Sequence, residues 1–324
     1  MENLVTVARQ VAILFVLMGF GAVMRRAGFF RENAIDGLVN VLILVVTPCL
    51  IVDVFQRPFD PSMLRGLGLA FAVSASIHVL MILVSGVLVR NRDENVRRPL
   101  LLAAVFSNAG FMGIPLEQAI LGDEGVFYGI VYVVVFNLFI WSWGLVTMQT
   151  ADRRMQNVGG RRILRSSFFT FHSFVNPGTV GIALGAPLFF FSAKLPDVIG
   201  VPVHHMANLN TPLAMIVIGY ALAGASFGRV ARTWAVYVAT VLRLVACPLL
   251  AIAALWPFRA SLDRNMMLAM VVAASAPVAA MVSMFAAKYR RDVDVSVAVV
   301  AGTTLLSILT MPVVIALAME VLGG

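Results

Sequence analysis

The residues best suited to chemistry lie between Ser107 and Pro115, which read Ser-Asn-Ala-Gly-Phe-Met-Gly-Ile-Pro. Proline removes a donor and clashes with the preceding turn, and glycine weakens helix while allowing close backbone approach. The surrounding segment is apolar enough to cross a membrane, where broken helix is tolerated only if protein covers it or it lines a cavity. The stretch therefore reads as the unwound centre of a binding site. Backbone N–H groups and half-helix N-termini there supply donors and positive potential for an anion without a full charge.

A second such stretch is Ala274-Ser275-Ala276-Pro277-Val278. The expected donors are the backbone near Gly110–Gly113 and 274–278, with the Asn108 and Ser275 side chains adding specificity. Pro115 and Pro277 are each placed to open the half-helix that follows.

Ionisable residues within spans are functional candidates by default. Arg243 is a candidate fixed counter-charge for an anionic substrate, or a residue snorkelling toward the cytoplasmic end. His78 is a candidate proton relay, because small shifts move imidazole across physiological pH. Its alternative is a neutral side chain hydrogen-bonded within the bundle. Asn137 fits interhelical hydrogen bonding, or a place in gating. Glu117 is expected near the outer mouth as a coupling candidate or a solvated residue, and Asp36 at a helix start. Adjacent His204 and His205 point in different directions on a helix, so no metal site is read there. Cys49 and Cys247 form neither a disulfide framework nor a ligand spacing and read as small packing residues. No metal or other cofactor is called for.

These residues must be positioned by membrane helices. Of 324 residues, 60% are hydrophobic and 12% charged, with mean hydropathy +0.94, far from a soluble domain. Ten apolar stretches are long enough to span, at 4–24, 34–55, 64–89, 99–121, 125–149, 175–193, 204–226, 233–256, 265–287 and 293–320. The net charge of +8 is sorted by loop and points to topology, not to nucleic acid. Seventeen of the 24 Lys and Arg residues fall in odd-numbered connections, including Arg25, Arg26, Arg97, Arg98, Arg153, Arg154 and Arg291. By the positive-inside rule both termini then face outward and the 150–174 connection is cytoplasmic. The start carries Glu2, no basic region and no cleavage site, so no signal peptide is expected.

The chain repeats itself with an offset near 164 residues. Thr47-Pro48 recurs as Thr211-Pro212, Gly21-Ala22 as Gly185-Ala186, Arg65 as Arg229, and Pro115 as Pro277 at an offset of 162. Five spans per half is odd, so the second half (175–324) enters the membrane inverted relative to the first (1–149). Inverted repeats with matching interrupted helices point to a secondary transporter with a midplane site. The basic 150–174 stretch is the linker, solvated near anionic headgroups.

At Asn108 through Pro115 the chain resembles the auxin efflux carrier family, which includes plant auxin exporters and bacterial carriers of small organic acids. Asn176-Pro177, Pro212 through Gly219, Ser275-Ala276-Pro277 and Thr303 through Ser307 with Pro312 extend the likeness over nearly the whole chain. The resemblance implies an all-α fold of ten transmembrane helices in two inverted repeats, with broken helices four and nine crossing at the substrate. It also implies a scaffold of helices one, two, six and seven, a mobile domain of helices three to five and eight to ten, elevator-like alternating access, and a homodimer. The short cytoplasmic loop resembles the bacterial organic-acid carriers more than the plant members.

Motifs of membrane-embedded enzymes and nucleotide-driven pumps are lacking: no His-Glu-x-x-His, no Gly-x-Ser-x-Gly, no P-loop. A passive channel and a sensor on a carrier fold are the remaining alternatives, and no enzymatic activity is expected. The sequence points to a multi-pass inner- or plasma-membrane carrier of a small organic anion. Malate, malonate, other carboxylates and auxin-like acids all fit, with H⁺ coupling expected ahead of two open alternatives, Na⁺ coupling and facilitated movement.

Overall fold

The computed structural model describes residues 2–29, 32–149, 177–225 and 233–322. The expected 150–174 linker, Asn176 and Arg229 lie outside them. Among the described residues the chain is helical, with one isolated antiparallel bridge between Ser107 and Val278. Among the described residues six helices are long and apolar enough to cross a membrane: Leu4–Arg26, Ala34–Phe55, Met63–Leu88, Ala109–Met148, Trp234–Phe258 and Val293–Val321. Pro177–Phe190 and Arg264–Ser275 are shorter apolar helices.

In chain order the first elements are α1 (Glu2–Arg26), α2 (Glu32–Val41), α3 (Thr47–Phe55) and α4 (Pro61–Leu88). They are followed by α5 (Glu94–Val105), α6 (Ile114–Phe139) and α7 (Leu145–Met148). Next come α8 (Pro177–Phe190), α9 (Asp197–Asn208), α10 (Asn210–Leu222), α11 (Trp234–Val241) and α12 (Cys247–Leu255). The last are α13 (Arg264–Ser275), α14 (Met281–Lys288) and α15 (Val293–Val321). The apolar stretch expected at 204–226 begins inside α9, which gives way to α10 at Leu209.

Among the described residues four wide π-turns occupy Leu42–Val46, Ala109–Gly113, Ile140–Gly144 and Leu242–Ala246. All but Ile140–Gly144 are followed two residues on by a proline, Pro48, Pro115 and Pro248. A proline offers no N–H to the carbonyl four residues back and its ring crowds that carbonyl. Widening the turn relieves both. At the first turn Thr47 Oγ1 donates to the Leu42 carbonyl at 2.8 Å.

The continuous apolar stretch Ala109–Met148 is two helical arms, not one straight helix. At Gly122 the backbone takes φ 66° and ψ −158°, a region that side chains other than glycine's rarely enter. A Cβ placed on Gly129 would strike the Glu117 carboxylate. Twelve residues apart on a straight helix, these two would be separated by about 18 Å. The chain therefore folds back at Gly122, in line with the spans expected at 99–121 and 125–149.

Among the described residues the most extensively packed helix pairs are α1 on α10 and α3 on α8. Glycines make both. A Cβ on Gly21 would meet the Ile216 carbonyl, and one on Gly219 would meet the Met18 carbonyl. On the other pair, a Cβ on Gly185 would lie 3.0 Å from Phe55 Cβ and 3.4 Å from Val52 Cα. An offset of 164 residues carries Gly21 to Gly185 and Val52 to Ile216, so each contact is the image of the other. An apolar seam joins α1 and α10, through Leu14, Met18 and Met215, to Met112, Leu116 and Met311.

Candidate functional site

α5 and α13 are built alike. Each has 12 residues, about 18 Å of helix and so just over half of a hydrocarbon core of about 30 Å. Each starts on an aspartate cap: the Asp93 carboxylate accepts from Asn95 N at 2.9 Å and that of Asp263 from Met266 N at 2.7 Å. Each ends in extended backbone, at Phe106 (φ −97°, ψ 113°) and Ala276 (φ −61°, ψ 147°).

The two extended ends pair. Asn108 N donates to Pro277 O at 2.6 Å, and Ala279 N to Phe106 O at 3.0 Å. Val278 N donates to Thr303 Oγ1 of α15 at 3.1 Å. The sequence brought the right segments together but shifted their register. The first break lies at Phe106–Asn108, one turn before the glycines, because Gly110–Gly113 belong to the π-turn ahead of Pro115. Pro115 sits in the first turn of α6 as expected. Pro277 does not open a helix; it lies in the extended strand, and α14 begins at Met281. Its carbonyl is needed by Asn108 N, which holds that residue out of the helix.

Beyond each break a helix N-terminus faces the crossing. The Asn108 carbonyl accepts from Met112 N at 3.0 Å and Gly113 N at 3.1 Å. The N–H groups of Ala109, Gly110 and Phe111 precede those bonds and have no acceptor within the helix. Ala280 and Met281 hold the same place before Val282 and Ser283, whose N–H groups donate to Ala279 O and Ala280 O. Gly110 and Phe111 are half-buried, and a Cβ on Gly110 would meet nothing within 4 Å. Asn108 is 6% exposed and its side chain caps no backbone N–H. Gly113, expected as a donor site, instead packs: its N–H is taken, and a Cβ there would lie 3.6 Å from Ala273 Cα.

Behind the crossing sits Arg243, fully buried in the π-turn Leu242–Ala246. Its Nη1 donates to Val105 O at 2.6 Å, and its Nη2 to Ala274 O. Those carbonyls lie at the C-terminal ends of α5 and α13. A helix C-terminus carries the equivalent of about half a negative charge, so two together offset about one guanidinium. Among the described residues Arg243 has no carboxylate partner. Its charge is therefore balanced by the helix ends, which leaves the half-helix N-termini as the uncompensated positive elements. Of the two readings of Arg243, counter-charge or snorkelling side chain, the second does not fit a guanidinium held on the carbonyls of both half-helices.

Around it lie His78, Ser107 and Cys247, all named from the sequence, and Tyr132, which sequence reasoning missed. The Tyr132 hydroxyl interacts with Ser107 and Arg243, and Cys247 is also beside Arg243. Tyr132 OH, Ser107 Oγ, His78 Nε2 and Arg243 Nε are buried without a hydrogen bond of ordinary geometry. His78 Nδ1 lies 2.8 Å from Ser74 O, which makes Nδ1 the donor; in the neutral ring Nε2 is then an acceptor. Its ring stacks on Phe139 at 5.3 Å and tilts against Tyr132 at 5.1 Å. A polar tip on a mid-span tyrosine was the available signal.

Other candidates fall elsewhere. The Ser275 hydroxyl donates to Val272 O of its own helix at 2.8 Å. Asn137 Nδ2 donates to Val133 O at 2.8 Å, again within its helix, so it does not join helices. Glu117 is not at a solvated mouth: it is fully buried between the arms of α6, with neither oxygen hydrogen-bonded. The Asp53 carboxylate pairs with His204 Nδ1 at 2.9 Å; both line a cleft with Gln118, Asp123 and Asn208 where α6 meets α3 and α9. Among the described residues no three His, Cys, Asp or Glu side chains group as metal ligands would.

The sequence matches a family model described as "Membrane transport protein" over residues 6–315. It is also 27% identical over 303 residues to an "Uncharacterized transporter" of Methanothermobacter thermautotrophicus, covering 92% of this chain and 94% of that protein. With a match that spans nearly the whole chain and paired broken segments at its centre, the protein belongs to the membrane transport protein family, the auxin efflux carrier family.

Proposed function

We propose that this chain is a secondary carrier that moves a small organic anion, a mono- or dicarboxylate, by alternating access. The observation that carries the reading is the pair of half-helix N-termini meeting at the crossing, where the N–H groups of Ala109–Phe111 and Ala280–Met281 precede the first helical bonds and have no acceptor within their helices. A desolvated carboxylate needs several donors at once, and Asn108 stands beside the more open of the two ends. Pro115 and Pro277 shape the two breaks, and Ser275 and Arg243 hold the half-helices whose ends form the site.

The architecture in this reading is ten crossings in two inverted repeats. Support comes from the twin half-helices α5 and α13 and from the glycine contacts related by an offset of 164 residues. α1 to α3 and α8 to α10 would form the scaffold, and α4 to α7 with α11 to α15 the moving domain. The seam between them runs through apolar side chains such as Leu14, Met18, Met112, Leu116, Met215 and Met311, a surface suited to the sliding of an elevator movement. Proton coupling, through Glu117 or His78, belongs to the same proposal.

The test is uptake of a labelled organic-acid panel by proteoliposomes under imposed proton, sodium and potential gradients. Saturable flux of one anion, accelerated by the proton gradient, is expected. Binding without flux under any gradient would leave a sensor on a carrier fold.

A further inference from the structure

Transporters commonly hold sodium with unwound carbonyls and the C-terminal ends of half-helices. Here the C-terminal carbonyls of both half-helices, Val105 O and Ala274 O, are taken by one guanidinium. Among the described residues Arg243 is the largest fully buried side chain. It reaches both carbonyls from a third helix segment, and no carboxylate among the described residues accounts for its burial. A buried charge without such compensation would be strongly destabilising. The Tyr132 hydroxyl lies beside it and beside the Ser107 hydroxyl, and neither hydroxyl makes a hydrogen bond of ordinary geometry.

We propose that Arg243 is a tethered cation filling a monovalent-cation site at the crossing. The site is made of the Val105 and Ala274 carbonyls with the Ser107 and Tyr132 hydroxyls. Two consequences follow from its electrostatics. The intact protein gains nothing from sodium, because the place a sodium ion would take is occupied. Truncating the side chain leaves two helix C-termini and two hydroxyls around a hole, which then binds a free monovalent cation, guanidinium best because it repeats the lost geometry.

The experiment is thermal unfolding of purified wild type, Arg243→Ala and Arg243→Lys in choline, sodium and millimolar guanidinium chloride. Wild type and Arg243→Lys, which keeps a tethered cation, should unfold at temperatures independent of the cation. Arg243→Ala should unfold earlier in choline and recover by about 3 °C or more when guanidinium is added at several times its dissociation constant. Recovery of folded Arg243→Ala only when guanidinium is present during purification is the same result in a stronger form. An alanine variant as stable as wild type in choline, or one that no cation rescues, overturns the proposal, as does a sodium response of wild type. These readings need no transported substrate, so they stand or fall apart from the carrier reading. A second arm rests on that reading: anion uptake by wild type is unchanged when sodium is replaced by choline.

Discussion

Asn108→Ala is expected to cut substrate uptake by tenfold or more while leaving the fold intact. The carboxamide is nearly buried, caps no helix N–H and lies next to the open space at Gly110, so its loss removes little from the folded state. A hydrogen bond to a charged group contributes about 1.5–3 kcal/mol, roughly 10- to 150-fold in binding. The change should fall on half-saturation if Asn108 serves binding alone, and on maximal rate if it serves the crossing state. Initial rates in proteoliposomes at matched protein levels, with the melting temperature as a control, measure both. Unchanged kinetics would remove Asn108 from the site.

Gly21→Leu and Gly219→Leu are each expected to abolish recovery of folded, monodisperse protein. Transmembrane helices associate through small residues that let backbones approach. At both positions a side chain would meet backbone carbonyl of the partner helix, Ile216 for one and Met18 for the other. Backbone cannot step aside as a flexible side chain can. Gly19 is the matched control: it lies on α1 two residues away, exposed, with nothing within 4 Å of a Cβ. Gly19→Leu should purify as wild type. Size-exclusion profiles of the three variants decide the matter, and a well-behaved Gly219→Leu would contradict the close packing of α1 on α10.

Much of this arrangement was legible because proline and glycine leave local marks. Pro48, Pro115 and Pro248 each sit two residues past a widened turn, and the offset of 164 that pairs Gly21 with Gly185 reappears as paired helix contacts. The register of the crossing was not legible. Matching Pro115 to Pro277 assumed that each proline opens a half-helix, whereas the caps Asp93 and Asp263 and the bridge from Ser107 to Val278 align the halves near an offset of 170. Proline can occupy an extended strand as readily as a first helical turn, and local chemistry does not choose between them.

The partners of the buried polar groups were equally out of reach. Arg243 stood out as an intramembrane charge, but the carbonyls that hold it come from residues 138 and 31 positions away. Glu117 looked exposed because it follows the break. The fold-back at Gly122 buries it, and that turn depends on a single backbone conformation. Asn137 and Ser275 bond within their own helices, the commonest resort of a lone polar group in an apolar span.

The claim that an organic anion binds at the crossing is tested most directly at Gly110. Gly110→Cys, in a background with Cys49 and Cys247 replaced by serine and alanine, places a thiol where a side chain meets nothing. Labelling by a membrane-impermeant thiol reagent is followed with and without the anion that proteoliposomes take up. The account predicts slower labelling in the presence of that anion, half-maximal near its half-saturation for uptake, and no protection by its neutral amide. Labelling at the same rate with and without a transported anion would contradict it and move the binding site away from the crossing.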